Sequence, residues 1–122
     1  MKKILLVEDN EMNRDMLSRR LIRKGFEVII AEDGLSGVEK AISEQPDLIL
    51  MDMNLPGIDG WEATQRIREH EHSKRTPIIA VTAYAMSPDY EKAINVGCDD
   101  YEPKPIQLDS FLKKMNNLLG EL

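Results

Sequence analysis

Five short apolar runs, each followed by a stretch with helical spacing, constrain this chain more than any other feature. The runs are "KILLV" (3–7), "EVIIA" (27–31), "LILM" (48–51), "IIAVT" (78–82) and a weaker "DYE" (100–102). Met12, Met16, Leu17 and Leu21 share one face of a helix over about 11–24, stopped by Gly25. Leu35, Val38, Ala41 and Ile42 mark a second helix, closed before Pro46, and Trp61, Thr64 and Ile67 a third. A fourth starts near Pro88, carries Tyr90, Ala93 and Ile94, and ends at Gly97; Leu108, Leu112, Met115 and Leu119 line a fifth. Strands that are apolar at every position are buried on both faces, so this alternation predicts a parallel sheet covered on each side by helices. Right-handed crossovers place helices on both sides only if the strand order reverses once.

In open sheets of this kind, ligands bind beyond the carboxyl ends of the strands, where the order reverses. Those ends deliver Glu8 and Asp9 from the first strand, Asp52 from the third, Thr82 from the fourth, and Lys104 just after the fifth. In "LILMD" a carboxylate follows four apolar residues directly, a costly place for a charge unless a neighbour stabilises it. Three converging carboxylates repel and raise one another's pKa. A hard divalent cation removes the repulsion, and magnesium suits it best, accepting a few carboxylates, a carbonyl, waters and a phosphate. Lys104 adds a cation for Asp52 or for a phosphoryl oxygen, and Thr82 a hydroxyl donor. Asp52 is then the nucleophile, able to form an aspartyl-phosphate in a reaction that needs mostly positioning and charge neutralisation.

With these residues in this order, the chain resembles the receiver domain of two-component response regulators, from Lys3 to about Leu119. The acidic pair falls on Glu8 and Asp9, the phospho-acceptor on Asp52, the switch hydroxyl on Thr82 and the lysine on Lys104, followed by Pro105. The resemblance implies that Asn54 offers its backbone carbonyl to magnesium, that Tyr101 is the switch aromatic, and that the Lys104–Pro105 bond is cis. It implies a flavodoxin-like (CheY-like) doubly wound five-stranded parallel sheet, order 2-1-3-4-5, with five helices in three layers and one receiver domain over 1–122. It also implies a function: accepting a phosphoryl group from a phosphohistidine, then changing the face built from helix 4, strand 5 and helix 5. The implied partners are a histidine kinase, a histidine phosphotransfer protein, or both, with the downstream protein target left open. Glu102 departs from the small or apolar residues common at its position and adds negative charge near the switch face. Ala83 is small, as access to the phosphoryl group requires, and Asn54 and Tyr84 hold positions that influence attack by water.

The formal net charge of −6 argues against a nucleic-acid-coating surface. No apolar stretch approaches the length needed to span a bilayer, and the apolar run after the N-terminal lysines is too short for a signal peptide. Cys98, the single cysteine, cannot form an internal disulfide, which suits a reducing, cytoplasmic setting. The chain runs from first strand to last helix with no output domain, so a stand-alone, monomeric receiver is expected, with dimerisation on phosphorylation left open. A magnesium-dependent phosphatase with an aspartate nucleophile is a rival, but it wants a second acid where Asn54 stands. A flavodoxin-like FMN carrier needs a glycine- and hydroxyl-rich phosphate loop where Glu8, Asp9 and Asn10 stand. A receiver that binds partners without phosphorylation is disfavoured by the intact acceptor and lysine. His70 and His72 are expected to point to different faces of a helix end, within a solvated charge run. Arg19, Arg20, Arg23 and Lys24 form a solvated basic face, Met12 and Met16 belong to the core, and Cys98 is a small buried hydrophobe.

Overall fold

The computed structural model describes residues 1–82 and 87–120. Strands β1 (Lys3–Val7), β2 (Glu27–Ala31), β3 (Leu48–Asp52), β4 (Ile78–Thr82) and β5 (Asp100–Pro103) alternate with five helices. These are α1 (Glu11–Arg23), α2 (Gly34–Ser43), α3 (Gly60–Glu69), α4 (Ser87–Val96) and α5 (Leu108–Leu119). All strand pairs are parallel and the order is β2-β1-β3-β4-β5, as expected. Among the described residues no helix is long and apolar enough to cross a membrane.

Side chains alternate across a strand, so each continuous apolar run serves two cores at once. Leu5, Val7, Ile49, Met51, Ile78 and Ala80 enter one core with Ala41, Ala63, Ile67 and Ala93 from α2, α3 and α4. Ile4, Leu6, Leu48, Leu50 and Ile79 enter the other with Leu17 and Leu21 of α1 and Phe111 and Met115 of α5. The result is three layers. The order reverses between β1 and β3, which lie side by side with Val7 opposite Met51. The next residue along each strand is an acid, Glu8 and Asp52, so the topology sets these two carboxylates next to each other.

Two local devices fix the loops at this rim. Asn10, Asp33 and Asp59 each accept a hydrogen bond from the backbone N–H three residues on, capping α1, α2 and α3. At Gly60, the first residue of α3, a Cβ would lie 2.3 Å from the Asp52 carbonyl oxygen. Only glycine lets α3 approach the end of β3 this closely.

The α1 pattern needs correction. Leu17 and Leu21 are buried, but Met12 is 78% and Met16 48% exposed. The helix turns back from the carboxyl rim, so its first turns lie level with the strand ends, where there is no sheet to cover them. Leu35, at the start of α2, is exposed for the same reason. In α5 the fully buried positions are Phe111 and Met115, while Leu112 and Leu119 pack at the margin. Ala83 and Tyr84 lie outside the described residues.

Candidate functional site

Glu8, Asp9 and Asp52 each offer a carboxylate oxygen, and these oxygens lie within 4.8 Å of one another. Glu8 and Asp52 are buried and Asp9 is exposed. Asp52 is 3% exposed, and both of its oxygens are engaged. Oδ1 accepts from the Asn54 backbone N–H at 2.9 Å, and Oδ2 accepts from Lys104 Nζ at 2.9 Å. Lys104 Nζ also lies 3.8 Å from Glu8 Oε1. One ammonium thus faces two buried carboxylates. The Lys104–Pro105 peptide bond is cis.

Glu8 is held away from its ordinary ionisation by its surroundings. Burial, then the side-chain contact with Asp52, lifts the Glu8 carboxyl from 4.5 to about 7. The Asn10 backbone N–H, 3.2 Å from Glu8 Oε2, and the Lys104 charge pull the other way without offsetting it. A group of hard oxygen donors with one carboxyl so reluctant to ionise is short of positive charge, and a divalent cation supplies it. The donor set fits magnesium.

Thr82 ends β4, buried, one position past the Val81–Asp52 pair in register. Its carbonyl accepts from the Lys104 backbone N–H at 2.8 Å, which ties the lysine's loop to the strand beside Asp52. Tyr101 lies in β5 opposite Ala80 and is half-buried. Asn54 is exposed in the loop after Asp52. A groove of about 560 Å³ opens beside the site between α1 and the loop after β5, with Met16, Leu17, Arg20, Pro105 and Ile106 in its walls.

Sequence reasoning passed over Arg14. Its Nη1 donates to the carbonyls of Glu8 and Asp9 at 3.2 and 3.3 Å, and its Nη2 pairs with Glu32 Oε1 at 3.1 Å. It holds the backbone of the acidic pair, and nothing in its local sequence sets it apart from the other α1 arginines. Two further expectations, on Glu102 and on the histidine pair, meet the structure differently, while Cys98 is buried as expected. Glu102 adds no charge to a surface, because it is 1% exposed and its Oε1 accepts from Lys114 Nζ at 2.8 Å. His70 and His72 do not diverge: α3 ends at Glu69, the chain turns, and the two rings stand 5.5 Å apart between centroids. Their nitrogens are not aimed at a common point, since His70 Nδ1 accepts from the His72 backbone N–H and His72 Nδ1 faces Gln45. Cys98 is buried, and desolvation pushes its thiol up to about 11.

Comparison with known proteins gives a consistent result. Residues 4–116 match the family described as the response regulator receiver domain. The polar-differentiation response regulator DivK of Brucella abortus is 38% identical over 120 residues, covering 98% of each chain. Hybrid signal transduction histidine kinase G of Dictyostelium discoideum is 50% identical over 117 residues, which are 93% of this chain and only 3% of that kinase. Among solved structures, the receiver domain of a sensor histidine kinase from Pseudomonas aeruginosa superposes with a TM-score of 0.91 at 38% identity, covering 98% of each chain. That crystal structure holds a magnesium ion coordinated in its active-site cleft. The chemotaxis response regulator CheY4 of Vibrio cholerae superposes with a TM-score of 0.90 at 30% identity, over 97% of this chain and 98% of that one.

Proposed function

The chain belongs to the response regulator receiver domain family, and on that premise we propose that residues 1–122 act as one phosphorylation-controlled switch with Asp52 as its acceptor. The observation that carries this reading is the Lys104 ammonium 2.9 Å from the Asp52 carboxylate, with the Glu8 and Asp9 carboxylates converging on the same point. A strand-ending aspartate that merely caps a loop does not recruit a lysine from 52 residues away together with two more acids.

An oxygen of Asp52 forms the new P–O bond as the donor's P–N bond breaks, and the donor imidazole nitrogen leaves with the electron pair. Glu8, Asp9, Asp52 and the backbone carbonyl of Asn54 are the groups that would hold magnesium. When bound, the ion would supply positive charge to offset that of the acids and of the incoming phosphoryl group. Lys104 moves its ammonium from the carboxylate to a phosphoryl oxygen, and the Thr82 hydroxyl donates to another. The added group carries roughly −1.5 to −2 charges, enough to draw Thr82 inward and to let Tyr101 follow. The face of α4, β5 and α5 changes, and a partner that prefers the new face binds more tightly by the difference between the two states. The phosphoryl donor is a histidine kinase, a histidine phosphotransfer protein, or both. The exposed Met16 in the groove beside Lys104 offers this donor protein an apolar contact.

The test is direct. Incubation with acetyl phosphate and magnesium is expected to add the mass of one phosphoryl group to the native chain and none to Asp52→Ala. No gain, or an equal gain in the variant, ends the reading.

A further inference from the structure

Glu102 is the buried acid for which the phosphoryl chemistry has no use. It sits in β5 opposite Val81 at 1% exposure, a position where a charge costs several kcal/mol unless it is paired and hydrogen-bonded. Both oxygens are satisfied, and their partners are informative. Oε1 accepts from Lys114 Nζ at 2.8 Å, well inside α5. Oε2 accepts from the backbone N–H of Gln107, the residue that caps α5, at 3.3 Å. Lys114 Nζ donates a second hydrogen bond, to the Tyr101 carbonyl at 2.7 Å.

Between Glu102 and Gln107 run four residues, and the second of them is Lys104. A single carboxylate therefore joins the two ends of the loop that presents the lysine to Asp52. Lys114 fastens that carboxylate to α5 and holds the backbone beside it. A leucine here would bury more cheaply. The ion pair constrains something an apolar contact leaves free, namely the separation and twist of the loop ends.

We propose that Glu102 and Lys114 form a buried latch that positions Lys104 for phosphoryl transfer, so that Glu102 is a positioning residue rather than a catalytic one. This rests on the phospho-acceptor reading. The lysine's distance to Asp52 is set by the loop ends, and through the loop by α5.

The test combines a double-mutant cycle with a structure. Glu102→Leu removes both anchors, and Glu102→Gln, with one acceptor oxygen in place of two, keeps one at most. Phosphorylation by acetyl phosphate, followed by intact mass, is expected to slow by about tenfold in Glu102→Leu and less in Glu102→Gln, as for a reacting group displaced by a fraction of an ångström. Magnesium affinity, measured by calorimetry, is expected to hold or tighten, because the acids are untouched and a competing cation is withdrawn from them. In a Lys104→Ala background the Glu102 substitutions are expected to add no further slowing. A crystal structure of Glu102→Leu, or of Glu102→Gln should the leucine variant not fold, is expected to show Lys104 Nζ withdrawn from Asp52. Equal slowing in both backgrounds, or a retained 2.9 Å contact with a native rate, overturns the latch. If the native chain takes no phosphoryl group, the functional reading fails on its own, and the crystal structure alone decides whether Glu102 positions Lys104.

Discussion

Glu8 offers the sharpest quantitative check, because a proton and a metal ion compete for it. In the metal-free fold its carboxyl titrates near 7 instead of 4.5, chiefly through burial and then through contact with Asp52. Magnesium needs the ionised form, so binding must expel that proton wherever it is present. With a pKa of about 7, Glu8 is about nine-tenths protonated at pH 6 and about one-tenth at pH 8, so the magnesium dissociation constant is expected to weaken roughly tenfold from pH 8 to pH 6. Calorimetry at pH 7 in buffers of different ionisation enthalpy is expected to show about half a proton released per ion bound. The same shift sets a slope in stability. A carboxyl whose folded pKa lies above its unfolded value stabilises the fold below pH 4.5, and that contribution is lost as pH rises to about 7. The metal-free melting temperature should fall across this window and level off above it, for a total of roughly 3 kcal/mol. Glu8→Gln should flatten both profiles. An equal magnesium affinity at pH 6 and pH 8 in the native chain refutes the argument.

Gly60→Ala is expected to cost about 1–3 kcal/mol in denaturant unfolding, because its Cβ meets the Asp52 carbonyl; a loss under about 0.5 kcal/mol would show that the α3 contact is slack. Phe111→Ala, which empties a fully buried site, should cost about 3–5 kcal/mol by the same measurement. With its thiol pushed up to about 11, Cys98 should resist iodoacetamide at pH 8 until urea is added, and rapid native labelling would contradict its burial. Met16→Lys is expected to leave stability within about 0.5 kcal/mol and to spare phosphorylation by acetyl phosphate, while slowing transfer from a phosphohistidine protein. Unchanged transfer from that donor would remove the groove from the docking surface.

The sheet and the acidic centre were readable in the sequence because both follow from local signals plus one topological rule. An apolar run buried on both faces announces a central strand, and the residue after it necessarily stands at the rim. That is why Glu8, Asp9, Asp52, Thr82 and Lys104 could be placed on one edge from their positions alone. Met12 and Met16 could not be placed, because helical spacing states which residues share a face and not how far the sheet extends beneath it. The pairing of Glu102 was hidden for a different reason. Strand alternation turns it away from its neighbour Tyr101, but its partner Lys114 comes from a separate element, and an isolated acid in a short, weak strand looks like surface. The histidine rings were misjudged because the helix ends at Glu69, one residue before the spacing argument begins to apply.

The residues that meet at Asp52 are far apart in the order of synthesis. Glu8 and Asp9 are made before Asp52, and the lysine that faces Asp52 follows it only 52 residues later. A nascent chain that has folded only β1 to β3 therefore carries acids without their counter-charge. The carboxylates at the rim gain their facing ammonium only once β5 and the loop after it have been made and folded.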